Sequence, residues 1–175
     1  MKFALRSFAA LIALAFAAGA QSGTTTPTPP QQWSKEAIQL FSTLPVQQEG
    51  RVKPLSTHAG FVMLKLHGSR SITVPGTPKD RNLDPMAWML DTMFYPDAAA
   101  HYKIFLIQTA EVVEAIGLKH DDKKKRARYS YAELEPGIDK LFQLAQEYHQ
   151  KSESKTKNLS PLEGQITALA SNVFD

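Results

Sequence analysis

The sequence predicts a mainly α protein, a single small domain of about five to six helices with at most one or two short strands. Apolar residues recur three and four positions apart in several stretches, which is the spacing of one helix face. Several of these stretches begin at a Ser or Asp that suits a helix N-cap. Residues 33–175 are also long enough to form one modest hydrophobic core.

The N-terminal segment Met1–Ala20 has the pattern of a secretory signal peptide. It carries two basic residues near its start, an apolar run over Phe8–Ala18 and the cleavage-site pattern Ala-Gly-Ala at its end. We expect either a cleaved signal peptide or a retained N-terminal anchor. Both predict an exported protein, in the periplasm or at the outer face of the cytoplasmic membrane.

A Thr/Pro/Gln-rich linker is predicted over Gln21–Gln32, because this segment has too few apolar residues to form a core. The extracytoplasmic helical domain then spans residues 33–175. No later apolar run approaches about 18 residues, so no further segment is expected to cross a membrane.

The composition excludes several classes of site. The chain has no Cys, so it has no disulfide, no Cys-ligated metal, no thiol nucleophile and no covalently attached c-type haem. The net charge of +3 falls to +1 without the two basic residues of the signal segment. The remaining basic excess lies in Lys119–Arg128, which we expect to be a solvated loop, with anionic lipid head groups as the alternative target.

The first part of the domain is predicted to hold two helices. The first is capped by Ser34 and runs to about Leu44, where a proline follows. Gln47–Lys53 contains a glycine and is predicted to be a turn. The second helix starts near Pro54 and ends before Gly68, which suits a helix C-terminus.

The middle of the chain is predicted to be a loop followed by a third helix. Ser69–Leu83 contains two prolines and a glycine, and leaves room for at most a short strand at Ile72–Val74. Asp84 and the proline after it predict the start of a helix over Pro85–Phe94. The apolar run Ile104–Ile107 is either a strand or a buried extended segment.

Three further helices are predicted in the last third. A short one spans Ala110–Ile116, before the basic loop. The next follows a capping box that begins at Ser130 and extends to about Lys151, before a polar hinge at Lys151–Lys157; the alternative is a start at Glu135, because a proline and a glycine follow that residue. The last begins after a second capping box at Ser160 and continues to the end of the chain.

No residue pattern predicts catalysis by this chain. The five His include no pair at the four-residue spacing of a helical zinc site, and no nucleophile motif or glycine-rich phosphate loop is present. Nothing in the sequence indicates that carboxylate pairs such as Asp80/Asp84 and Glu111/Glu114 are buried, as general acid–base catalysis would require. We therefore predict that the chain is not an enzyme, with no catalytic, cofactor-binding or metal-ligating residue.

Aromatic residues and methionines are predicted to form the core. A cluster at helical spacing comprises Met86, Trp88, Met89, Met93 and Phe94. An apolar cofactor pocket is the alternative interpretation of this cluster. Other aromatic residues predicted to be core are Trp33, Phe41, Phe61, Phe105 and Phe142.

One segment is not explained by helix propensity. Leu44–Leu55 reads LPVQQEGRVKPL and is followed by Ser-Thr-His-Ala. Its prolines fix φ at both ends, and its glycine permits a left-handed turn, so Arg51 is held on a stiff loop. Arg51 would bind a carboxylate of a partner, of a ligand or of an acidic residue of this domain. The candidate partner-binding residues are Gln47, Gly50, Arg51, Lys53, Thr57 and His58.

This segment resembles the LPVQ-x-x-GR-[IV]-KPL-[DS]-T-x-A block at the start of the exported domain in System II cytochrome c biogenesis proteins. These are fused proteins of the CcsA/CcsB (ResC/ResB) type. Three later stretches are similar in the same order, at Asp84–Pro96, Ile104–Leu118 and Arg128–Leu134. The resemblance covers roughly residues 33–175.

The resemblance implies a non-enzymatic extracytoplasmic domain that takes part in haem delivery and cytochrome c assembly by binding and positioning partners. Expected partners are other cytochrome c biogenesis components and apocytochrome c in a membrane-associated assembly, with no nucleic acid. The family's Trp-rich haem-binding loop is absent from this sequence. We therefore expect no cofactor on this chain, with haem confined to the full assembly. The alternative is a free-standing exported protein–protein interaction module unrelated to haem.

Overall fold

The structure is a computed structural model that describes residues 28–48, 50–120, 126–153 and 158–174. The predicted signal peptide lies outside these residues. So do the linker up to residue 27, residues 121–125 of the basic loop and residues 154–157 of the polar hinge.

The fold is mainly α, as the sequence predicts. The helices are α1 Lys35–Ser42, α2 Leu55–His67, α3 Pro85–Phe94, α4 Pro96–Ala99, α5 Ala110–Ala115, α6 Tyr131–Leu134, α7 Ile138–Glu153 and α8 Pro161–Phe174. Six of them match the predicted helices. The one-turn helices α4 and α6 are additional, and a 3₁₀ turn over Glu135–Gly137 separates α6 from α7.

Local capping explains where several helices begin. Ser34 and Asp84 accept hydrogen bonds from the backbone N–H groups of Ala37 and Ala87, as expected for N-caps. The capping box at Ser130 is present, but it caps the one-turn α6 rather than the long helix. The long α7 starts later because Pro136 and Gly137 lie in the 3₁₀ turn.

The expectation of at most one or two short strands is wrong. In the described part of the chain, six strands form three separate antiparallel pairs. They are β1 Pro45–Gln48 with β2 Arg51–Pro54, β3 Ile72–Val74 with β4 Arg81–Leu83, and β5 Phe105–Ile107 with β6 Ala127–Tyr129. Strands of three or four residues are too short to show an alternating pattern, so pairing with a distant partner decides them.

Three predicted irregular segments are therefore corrected. The predicted turn Gln47–Lys53 is a β-hairpin. In the predicted loop Ser69–Leu83, the short strand allowed at Ile72–Val74 is confirmed as β3, and β4 is additional. The basic loop ends in β6, whose residues 127–129 pair with β5. In each case the pairing satisfies backbone groups that a solvated loop would leave to water.

The main core lies where α2, α3, α5, α7 and α8 meet the two three-residue strand pairs. Its most deeply buried large side chains are Met63, Ile116, Leu134, Leu141, Ile166, Val74, Val112 and Val113. A second, smaller cluster of Leu55, Ala59 and Met86 lies beneath the β1–β2 hairpin and α1. Residues from distant parts of the chain share one core, which fixes the positions of α2 and α3 relative to each other.

The aromatic core prediction is only partly right. Trp88 and Phe105 are buried, and Trp33 and Phe41 are half-buried. The side chains of Phe61, Met93, Phe94 and Phe142 are exposed, so their assignment to the core is wrong. Helical spacing identifies a face of a helix, but neighbouring elements decide how much of that face is covered.

A buried polar network joins the linker's end to α3. The Asp91 carboxylate accepts hydrogen bonds from Arg81 Nη2 (3.2 Å), from the Tyr102 hydroxyl (2.8 Å) and from Trp33 Nε1 (2.8 Å). It also forms an ion pair with Arg81 Nη1 at 2.8 Å. Arg81 Nε also donates to the backbone oxygen of Gln31 at 3.3 Å. Asp91 and Arg81 are both buried, and each has several partners, as buried charges require.

Tyr102 gives this network a measurable pH dependence. Burial, followed by the hydrogen bond and charge of Asp91, raises the pKa of Tyr102 to about 12. A tyrosine in the unfolded chain titrates near a pKa of about 10. Because the folded pKa is the higher one, the contribution of the neutral phenol to stability is complete below about pH 10 and declines toward about pH 12.

We therefore expect the free energy of unfolding to fall between about pH 10 and about pH 12 more steeply in the wild type than in Tyr102→Phe. Urea denaturation at a series of pH values measures both slopes, and the phenylalanine variant accounts for lysines and other tyrosines that titrate in this range. Equal slopes would show that Tyr102 does not contribute.

Candidate functional site

The segment singled out by sequence forms the β1–β2 hairpin. Pro45 pairs with Pro54 at its base, and Gln48 pairs with Arg51 next to the tip. Gly50 has φ of 74°, a left-handed conformation that glycine adopts without steric cost. The predicted stiff, glycine-dependent turn is therefore present, in the form of a hairpin.

The base of the hairpin is fastened to both helices that flank it. The backbone N–H of Leu55 donates to the oxygen of Leu44 at 2.8 Å, and the Ser56 hydroxyl donates to the oxygen of Ser42 at 3.1 Å. Val46 packs against the small core beneath α1. These contacts fix the orientation of the hairpin relative to α1 and α2.

Strand β2 presents a cation and an apolar side chain to solvent. Arg51 is exposed, and the adjacent Val52 is 70 % exposed, facing Gln47 across the pair. Within the described residues, the guanidinium of Arg51 forms no hydrogen bond or ion pair with this domain. The alternative of an internal tie through Arg51 has no support in that part of the chain.

Lys53 and His58 are joined through Gln48, which the sequence analysis did not single out. Lys53 Nζ lies 3.1 Å from Gln48 Oε1, and His58 Nδ1 lies 3.1 Å from the same oxygen. Because Oε1 only accepts, both nitrogens donate to it. In neutral His58, Nε2 then carries the lone pair. The remaining candidate, Thr57, is exposed in the first turn of α2 and belongs to no such network.

A cavity of about 730 Å³ opens beside the hairpin. One wall is a face of α2, where the lining residues recur at helical spacing: His58, Phe61, Val62, Lys65 and Leu66. Residues of α3 and α4 also line the cavity. The lining is completed by Gln48 of the hairpin, Ile104 and Phe105 of the β5 region, Tyr131 of α6 and Asn172 of α8. Apolar side chains dominate the lining.

This cavity can be compared with the alternative interpretation of the Met/aromatic cluster as an apolar pocket. Trp88 and Met89 line it, whereas Met93 and Phe94 do not. The sequence does not identify the α2 residues as the wall of a cavity, although they follow His58 by three, four, seven and eight positions. That pattern indicates a helix face, and it contains no information on whether the face meets a core or a cavity.

Two features of the lining bear on what could bind. The Phe61 ring is 55 % exposed and has Lys53 Nζ 5.8 Å and Arg70 Cζ 5.9 Å from its centre. Asn172 Oδ1 is buried and has no hydrogen-bond partner among the described residues. An Asn side chain carries both a donor and an acceptor, so it can pair with a polar group of an occupant.

Neither protein-family models nor curated proteins match the chain. In the described ranges, no group of three or more His, Asp or Glu side chains is arranged to hold a metal ion. No helix within those ranges is both long and apolar enough to span a bilayer.

Proposed function

We propose that this chain is the extracytoplasmic domain of a cytochrome c biogenesis protein, and that it acts in haem delivery and cytochrome c assembly by binding and positioning partners. Its partners are other components of the same membrane-associated assembly and apocytochrome c. One observation carries the proposal: the segment that bears the sequence resemblance is an anchored hairpin with Arg51 and Val52 exposed.

Preorganisation supports a binding role for this hairpin. A partner that contacts a fastened strand loses less conformational entropy than one that must order a loop. Arginine is enriched among the residues that dominate protein interfaces, because its planar guanidinium makes two parallel hydrogen bonds to a carboxylate. Arg51 and Val52 are consecutive in β2 and both exposed, so their side chains point to opposite faces of the hairpin, and a partner that contacts this edge would meet charge on one face and apolar surface on the other.

The test is cytochrome c maturation in cells that express hairpin variants. In a strain lacking the gene, we expect the double variant Arg51→Ala/Val52→Asp to lower the level of haem-bound c-type cytochromes by at least about tenfold, the loss typical of removing interface hot spots. Haem staining of membrane fractions measures the level. Because both side chains are exposed, the melting temperature should change little.

Lys140→Ala is the matched control, since Lys140 is an exposed cation on α7, which packs on α8 rather than on the hairpin. It should complement the deletion like the wild type. Normal cytochrome c levels in the deletion strain itself would refute the proposal and leave the free-standing exported interaction module. Stoichiometric haem binding that is lost in His58→Ala would refute the part that places no cofactor on this chain.

A further inference from the structure

We propose that the cavity between α2 and α3–α4 binds a single amphiphile, a long acyl chain with an anionic head group. The volume of about 730 Å³ lies within the range of roughly 300–1,000 Å³ typical of small-molecule sites. The lining is mainly apolar, with a few polar groups, which is the usual composition of such sites.

The shape of the cavity favours an elongated ligand. Its α2 wall extends from His58 to Leu66, a length of roughly 12 Å at the helical rise of 1.5 Å per residue. Phe61 and Val62 lie in the middle of this wall, and Trp88 and Met89 on α3 line the same cavity. Long apolar walls on two helices match an extended hydrocarbon chain.

The charges near the cavity favour an anionic head group. Lys53 and Arg70 flank the exposed ring of Phe61, each within 6 Å of its centre. Lys65 is the one Lys or Arg among the described lining residues, against one carboxylate, Asp97, whereas Lys53 and Arg70 lie next to Phe61 outside the lining. A head group next to Phe61 would therefore meet positive charge while its chain enters the apolar part.

Free carboxylates and lysophospholipids share this chemistry, so both are tested. We expect the full chain to bind hexadecanoate at a 1:1 ratio, measured by the change in tryptophan fluorescence, since Trp88 lines the cavity. Affinity should rise by about fourfold for each methylene added to shorter fatty acids. Hexadecanol, which lacks the charge, should bind at least about tenfold more weakly. Tighter binding of lysophosphatidylglycerol than of hexadecanoate would support the proposal with a membrane lipid as the source.

Two tryptophan substitutions on α2 locate the binding site. Val62→Trp places an indole in the middle of the α2 wall, where it should block the path of the hydrocarbon chain and strongly weaken binding. Calorimetry measures this binding, because the substitution adds a fluorophore. Leu64→Trp adds the same bulk to an exposed position outside the lining and should bind like the wild type. Circular dichroism establishes that both variants are folded. Lys53→Glu/Arg70→Glu, which reverses the charges of the half-buried Lys53 and the exposed Arg70, should weaken hexadecanoate binding by at least about tenfold without weakening hexadecanol binding.

Wild-type affinity in a folded Val62→Trp variant would overturn the proposal. So would saturable binding of haem, or of an apolar peptide, with no binding of either lipid. Lipid binding is measured on the purified protein, whereas cytochrome c maturation is measured in cells. The two experiments therefore distinguish failure of the lipid-binding proposal from failure of the proposed function.

Discussion

Replacing Asp91 with alanine should lower the free energy of unfolding by about 3–5 kcal/mol, the cost of removing one partner from a buried ion pair. The substitution leaves the Arg81 guanidinium buried without its carboxylate. It also removes the acceptor of the Tyr102 hydroxyl and of Trp33 Nε1. The loss is large because three donors from different parts of the chain depend on one carboxylate.

Chemical denaturation of the full chain, monitored by circular dichroism, measures this effect. Asp80→Ala is the matched control, because Asp80 is exposed and adjacent to Arg81 in sequence. The control should change stability by no more than about 0.5 kcal/mol. A loss below about 1 kcal/mol in Asp91→Ala would mean that the buried ion pair is not formed as described.

Leu141→Ala should cost about 2–5 kcal/mol through loss of transfer free energy and creation of a cavity. Leu141 is 0 % exposed and is the one buried residue of the 16-residue helix α7. The half-buried residues Leu144, Ala145 and Tyr148 of the same helix pack around the core that Leu141 enters. Attachment of α7 to α8 therefore depends strongly on this side chain.

Leu40→Ala makes the same chemical change on α1 at a side chain that is 65 % exposed. It should alter stability by no more than about 0.5 kcal/mol. The same denaturation experiment compares the two variants, and protease digestion tests whether α7 detaches first in Leu141→Ala. Equal effects of the two substitutions would contradict the burial that the structure assigns to α7.

The sequence predicts the longer helices well because their signals are local. Ser34 and Asp84 act as caps, and Gly68 ends α2 with φ of 77°. Each of these residues acts through backbone groups within one turn, so a short window of sequence contains the whole interaction. The predicted starts of α1 and α3 and the predicted end of α2 agree with the structure for this reason.

The sequence indicates two of the strands, β3 at Ile72–Val74 and β5 as one alternative for Ile104–Ile107, but it predicts neither the other strands nor any pairing. β3 and β4 are joined by a segment rich in proline and glycine, and β6 follows a run of charged residues. Their pairing depends on partners seven or more residues away, and Phe105 pairs with Tyr129 across 24 positions. Cross-strand contacts outweigh local propensity in such short strands.

The candidate site was predicted in part. The sequence identifies the segment around Gly50 and Arg51 as unusual, and the structure places both on one anchored hairpin. It does not identify Gln48 as the acceptor shared by Lys53 and His58, because that geometry requires the hairpin to lie against α2. Whether the hairpin binds a partner remains a proposal that the cytochrome maturation experiment tests.

Sequence by itself determined the mainly α class, most helix boundaries and the stiff segment Leu44–Leu55, since caps, prolines and glycines act over a few bonds. The tertiary structure alone decided the three strand pairs, the buried carboxylate of Asp91 and the cavity beside α2. Spacing assigns residues to a face of a helix, and the same spacing describes the buried Met63 and the cavity-lining Val62. Burial is a property of what packs against that face, and those neighbours come from distant parts of the chain.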